Sequence, residues 1–131
     1  MGRLDTVTVS TLQASRIDDL PAVRVGAGCT RRDLSSDGSV RVWVVDMEPG
    51  SIWPYVDDHD TGEYYYVIEG EVIEGSKRYG AGTYVRFLPG TSHRPRTDTG
   101  VRLFGFNLDA AAMSAAREAV NRTHRFNYSQ G

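Results

Sequence analysis

Short β-forming runs, each cut off by glycine, proline or aspartate, fill the chain from Ser39 to Leu108. Ser39 to Met47 (SVRVWVVDM) is rich in Val and Trp and stops at the turn Glu48-Pro49-Gly50-Ser51. Ile52 to Tyr55 continues as an extended piece. Glu63 to Glu69 (EYYYVIE) is the densest β-forming run; Gly70 halts it and Glu71 to Glu74 resumes it. Gly75-Ser76 reads as a hairpin tip before Lys77 to Tyr79, Thr83 to Leu88 closes on Pro89-Gly90, and Val101 to Leu108 (VRLFGFNL) is the last strand. Branched and aromatic side chains suit a pleated, half-buried surface, while Gly and Pro set the turns between. Punctuation this frequent predicts an all-β sandwich or barrel rather than βαβ units.

Outside that region the signals are sparser. Asp109 stands as N-cap to Ala110–Val120, an Ala-rich stretch with Met, Arg and Glu, so a short C-terminal helix over 109–120 is expected. Leu12 to Leu20 has room for a short helix and Ala22 to Val25 for a strand. At 131 residues the chain is expected to form one domain, 1–131, with its barrel core over 22–108. A formal net charge of −2 without a long basic run argues against a nucleic-acid partner. No apolar stretch approaches the roughly 20 residues of a membrane helix. Cys29 has no second cysteine to pair with, which fits a reducing, cytoplasmic location.

Metal-binding residue types crowd into one segment, DDHDTGE, with Asp57, His59 and Glu63. On an extended chain, residues two apart point to the same face, so Asp57 and His59 can aim into one cavity. A turn through Asp60, Thr61 and Gly62 can bring the Glu63 carboxylate back beside the imidazole. His93, just past Pro89-Gly90, is the fourth candidate. Two carboxylates and two imidazoles suit one divalent ion, Fe(II), Mn(II), Ni(II) or Zn(II), and lack the thiolates of a structural zinc cluster. The alternative is a solvated acidic loop, the expected role of Asp58 and Asp60.

These residues resemble the two motifs of the cupin family, G(x)5HxH(x)3–4E(x)6G and G(x)5PxG(x)2H(x)3N. Gly50, His59, Glu63 and Gly70 match the first, and Gly82, Pro89, Gly90 and His93 match the second in the string GTYVRFLPGTSH. The stretches EYYYVIEGEV and YGAGTYVRFLPGTSHRPRT are most similar to ChrR-type anti-sigma-factor domains and acetylacetone-type dioxygenases. The resemblance implies an all-β double-stranded β-helix, or jelly-roll barrel, with both motifs at one mouth. It also implies a homodimer as the common assembly. Two departures stand out. Asp57 replaces the first motif histidine, one residue farther from Gly50 than usual, and Thr97 stands where the second motif ends in Asn. An aspartate in a histidine's place adds negative charge, favours a harder metal and lowers its redox potential.

Strand parity extends the site. Tyr65 and Val67 share the face of Glu63, whereas Tyr64, Tyr66 and Ile68 face away. Arg41, Trp43 and Val45 share a face on an earlier strand, as do Phe104 and Phe106 on the last. With Trp43, Phe104 and Phe106 inward, the substrate pocket is aromatic, and Arg41 or Arg102 is available to an acidic substrate; core packing is the alternative for the aromatics.

Two chemistries follow. Fe(II) with O2 would oxidise and cleave a β-diketone or other enolisable small molecule. Zn(II), Ni(II) or Mn(II) as a Lewis acid would instead support isomerisation, cyclisation or elimination. Glu63 is the candidate base and Tyr65 the candidate proton donor. The expectation is a metal-dependent enzyme acting on a small carbonyl or enol, with Fe(II) and the dioxygenase first. The non-redox isomerase, cyclase or lyase and a non-catalytic metal or ligand sensor are the alternatives. A sensor would need a separate partner, because residues 1–35 hold no Cys/His zinc-binding segment.

Overall fold

The computed structural model describes residues 12–36 and 40–108, together with Glu118 and Arg122. Its elements are a 3-10 turn at Ile17–Asp19 and strands β1 (Val23–Gly26), β2 (Cys29–Ser36), β3 (Val40–Met47), β4 (Asp57–His59), β5 (Glu63–Glu74), β6 (Lys77–Gly80), β7 (Tyr84–Phe87), β8 (Thr91–His93) and β9 (Val101–Leu108). The helix expected over 109–120 lies outside the described residues, Glu118 excepted. The stretch 12–20 holds only the 3-10 turn, ended by Leu20 in an extended conformation ahead of Pro21. Among the described residues no helix is long and apolar enough to cross a membrane.

Seven strands form one antiparallel sheet in the order β1-β2-β3-β9-β5-β6, with β7 also paired to β5. β4 and β8 make a separate two-stranded ladder. The register aligns one face into rows across the sheet. Arg41, Asn107, Glu63 and Phe87 form one row, and Trp43, Gly105, Tyr65 and Val85 the next. Val45, Leu103 and Val67 form the third, with Arg31 opposite Val45. The first row carries the polar groups and the third is nearly all hydrocarbon. The core follows these rows: Trp43, Val45, Tyr65, Val67 and Leu103 are buried in one cluster with Met47, Trp53, Val72 and Val101. Each such side chain stabilises the fold by roughly 1.5–3 kcal/mol through lost apolar surface.

β5 is continuous through Gly70, contrary to the break its sequence suggests. Its ladder with β9 slips between Val67 and Glu69, a β-bulge that passes strand pairing from β9 and β7 on to β6. Gly70 has φ +80°, and any Cβ there would run into the Gly100 backbone; the tight crossing needs glycine.

Candidate metal centre

β4 and β8 carry the histidines to the cavity face of the sheet. In their ladder Asp57 is paired directly with His93, and His59 with Thr91. The Gly90 N–H donates to the His59 carbonyl at 2.7 Å, which binds the two motif loops together at the backbone. Gly62, at φ +89°, turns the chain from β4 into β5, and the Thr61 hydroxyl ties that turn to the Leu108 carbonyl at the end of β9. Glu63 therefore starts β5 beside His59 rather than pointing outward.

Four side chains converge. One ligand atom from each of Asp57, His59, Glu63 and His93 lies within 4.8 Å of every other. Glu63 Oε2 is 3.3 Å from His59 Nε2 and 3.1 Å from His93 Nε2. Asp57 Oδ2 is 3.9 Å from His59 Nε2. Glu63 and His59 are nearly inaccessible, at 5% and 6% exposure. Despite these short approaches, neither Nε2 has a partner in hydrogen-bond geometry. Two buried imidazole nitrogens aimed at one carboxylate oxygen, neither in hydrogen-bond geometry with it, converge on a point that a common third atom could occupy. That is the signature expected of ligands, and the nitrogen and oxygen donor set suits a divalent first-row metal.

Supporting groups fix two of the four side chains, His93 and Glu63. On the far side of His93, Nδ1 lies 3.0 Å from both oxygens of Glu74, and Glu74 Oε2 also accepts the Tyr65 hydroxyl at 2.6 Å. An ionised carboxylate only accepts, so Nδ1 carries the proton and Nε2 is left to the site. Glu63 is held by a second chain: Trp43 Nε1–H donates to Asn107 Oδ1 at 2.7 Å, and Asn107 Nδ2 donates to Glu63 Oε1 at 3.3 Å. The Trp43 ring lies over Gly105, where a Cβ would come within 2.6 Å of its Cζ2. Phe87 stacks on His93, with ring centroids 4.0 Å apart.

The electrostatics follow from this crowding. Burial works against charge on Glu63, yet the two imidazoles hold its carboxyl at about 2. Burial also lowers His93, but Glu63 and Glu74 on either side outweigh it and raise it to about 9. Asp57 is raised, first by burial and then by the charge of Glu63. The Tyr65 hydroxyl is pushed well above its ordinary value by burial and by the charge of Glu74.

The centre stands at one end of a cavity of about 390 Å³. Arg41, Trp43 and Tyr65 line it, as do Val45, Met47, Trp53 and Leu103. Phe104 and Phe106 do not: parity along β9 turns Leu103, Gly105 and Asn107 inward, and Phe106 stacks on Tyr64 on the other face at 4.7 Å. The expected aromatic wall from β9 is thus replaced by Leu103 and Asn107. Arg102 also faces away, its guanidinium engaged by Asp46 and Asp18 at 2.7 Å each. Glu74, Asn107 and Phe87 complete the site without having been anticipated. A polar Asn within the apolar run VRLFGFNL was the available signal for one of them.

A family model described as the ChrR Cupin-like domain matches residues 11–110. No curated protein matches the sequence. An RmlC-like cupin from Shewanella frigidimarina superposes with TM-score 0.65 at 24% identity, covering 73% of this chain and 89% of that one. An acetylacetone dioxygenase from Acinetobacter johnsonii gives 0.66 at 16% identity, with 74% of each chain covered. The Rhodobacter sphaeroides structure of SigE with the anti-sigma ChrR gives 0.63 at 19% identity over 70% of this chain, which spans half of that one. With two motif loops meeting over an antiparallel sheet and a family match across most of its length, the chain belongs to the ChrR-like cupin family.

Proposed function

We propose that this protein is a metal-dependent cupin enzyme that acts on a small carbonyl or enol-type metabolite, with O2-dependent cleavage of an enolised dicarbonyl as its first reading. The observation that carries it is the meeting of His59 Nε2, His93 Nε2, Glu63 Oε2 and Asp57 Oδ2 at the wall of a cavity large enough for a small metabolite. A divalent metal, Fe(II) first, would supply Lewis acidity and an entry point for O2. The remaining work falls to the chain. Asp57, His59, Glu63 and His93 are the ligands. Trp43, Val45, Met47 and Leu103 form an apolar wall against which an apolar substrate body rests. Glu63 is the candidate base, although Asn107 on Oε1 and two imidazoles beside Oε2 leave it few free lone pairs. Tyr65 points its proton at Glu74, so the geometry favours a positioning role for it over that of acid. In the dioxygenase reading both oxygen atoms of O2 end in the cleaved products.

A non-redox reading draws support from Asp57. A second carboxylate ligand suits Zn(II), Ni(II) or Mn(II), and enolate stabilisation would then drive isomerisation, cyclisation or elimination. Elemental analysis of protein purified without chelator, followed by O2 uptake with 1,3-diketones, separates the two. Stoichiometric iron with substrate-dependent uptake supports the dioxygenase. Zinc or nickel without uptake turns the assignment to proton-transfer chemistry. A protein that retains no metal and binds no diketone sinks both.

A further inference from the structure

The cavity is electrically lopsided. Asp57, Asp58, Asp60 and Glu63 line it on the side built by β4, its following turn and the start of β5, whereas Arg31 and Arg41 line it from β2 and β3. Arg31 is paired only with the half-exposed Asp33, and Arg41 with no carboxylate among the described residues. Among the described residues no hydrogen bond engages the Arg31 guanidinium, and its buried Nε, though 3.2 Å from Asp33 Oδ1, is left without one. Asp33 is itself half in solvent, so it neutralises Arg31 only weakly. Arg41 is exposed at the cavity edge with no ion pair among the described residues. By contrast Arg32 and Arg102, on the other face of the same sheet, are both committed to Asp46. Trp43, Val45 and Leu103 line the same cavity. Arg41, Asn107 and Glu63 share one row of the sheet, which puts Arg41 two strand spacings, about 10 Å, from the Glu63 carboxylate, while Arg31, opposite Val45, stands two rows along.

From this arrangement we infer that the substrate is an anion: an enolisable dicarbonyl with an apolar body and a carboxylate at its far end, the carboxylate held by Arg31 and Arg41. The inference rests on the metal-site reading above and adds the charge and orientation of the ligand. A guanidinium at a half-enclosed cavity wall binds a carboxylate through parallel N–H donors, which fixes geometry as well as adding affinity. The dicarbonyl end then faces His59, Glu63 and His93, and the hydrocarbon between rests on Trp43 and Leu103.

The test uses the full chain loaded with Zn(II), so that no oxidation occurs, and two probes with the same dicarbonyl head, benzoylacetone and its 4-carboxy derivative. Calorimetry is expected to give the carboxylate probe roughly 10- to 100-fold tighter binding, the worth of one or two charge-assisted hydrogen bonds. Raising the salt concentration should erode that preference. Arg31→Gln and Arg41→Gln are expected to collapse it towards unity, and Arg31→Lys to keep part of it. Arg41 is exposed, so its variant remains informative if Arg31→Gln does not fold. Equal affinity for the two probes in the wild type overturns the anion inference while leaving the metal reading intact, as does a preference that survives both Gln substitutions. Zinc binding with no uptake of either probe removes the dicarbonyl reading, and the inference falls with it.

Discussion

Nδ1 of His93 sits 3.0 Å from each carboxylate oxygen of Glu74, on the side of the ring away from the convergence point. The pair is 8% and 11% exposed, so its charges are little screened. A carboxylate behind a ligating imidazole fixes the tautomer, orients the ring and raises its basicity, and losing such a partner typically costs about 10- to 100-fold in metal affinity. Glu74→Gln should therefore weaken Co(II) or Zn(II) binding by that factor while leaving the four ligands in place. Tyr65→Phe, which removes only the 2.6 Å bond to Glu74, should weaken it less. Chelator competition measures both. Unchanged affinity in Glu74→Gln would show that His93 needs no such support.

The charge on His93 should make metal uptake at this site pH-dependent. Flanked by Glu63 and Glu74, it is raised from 6.5 to about 9 in the metal-free protein. A metal needs its Nε2 lone pair, so near pH 7 each binding event displaces about one proton, and affinity rises about tenfold per pH unit until the pH reaches His93's own value. Stability of the metal-free fold moves the other way. A raised imidazole contributes stability that is complete below 6.5 and lost as pH climbs through about 9. Glu63, lowered from 4.5 to about 2, contributes stability above 4.5 that is lost as pH falls towards 2. The metal-free protein should thus melt highest between these limits. Calorimetry in buffers of different ionisation enthalpy counts the released proton, and none released at pH 7 would remove the charged His93.

Asp57 should trade stability against binding. Its pKa is raised by burial first and by the Glu63 charge next, so its ionised form is disfavoured by folding. Asp57→Asn removes that charge. The metal-free variant should melt higher than wild type near neutral pH, with the gain gone below the ordinary aspartate value of 3.8. Its metal affinity should fall at the same time. A variant less stable than wild type without metal would mean that Asp57 supports the loop rather than straining it.

Much of this site was legible because it is local. Asp57, His59 and Glu63 are close in sequence, and period-2 parity places Glu63, Tyr65 and Val67 on one face, as their burial agrees. His93 needed the second motif, since only the β4–β8 ladder brings it opposite Asp57. Glu74 was hidden for a physical reason. The bulge between Val67 and Glu69 shifts parity by one, so Val72 and Glu74 point inward although strict alternation from Glu63 turns them out. Phe104 and Phe106 failed differently: an aromatic pair on one face says nothing of which face is inward. Gly105 held the answer, because a glycine between two such residues marks the side where another ring, that of Trp43, lies across the strand.

That glycine gives the last prediction. A Cβ at Gly105 would stand 2.5 Å from the Tyr64 carbonyl and 2.6 Å from Trp43 Cζ2, so Gly105→Ala must push the indole off β9. Overpacking of this kind costs about 1–3 kcal/mol, roughly a 5–15 °C drop in Tm for a domain of this size. Moving the indole also breaks its 2.7 Å bond to Asn107, and with it the constraint that turns Asn107 Nδ2 towards Glu63 Oε1. Metal affinity should therefore fall along with stability. Trp43→Phe separates the two effects, because it keeps most of the ring and removes only the Nε1 donor. It should lower metal affinity several-fold with a smaller loss of Tm than Gly105→Ala, since Asn107 loses the donor that fixes its oxygen and keeps only its Nδ2 bonds to Glu63 and Gly62. Thermal melts and zinc titrations on the two variants check this, and a Trp43→Phe protein that binds zinc as wild type does would show that Glu63 is held without the indole.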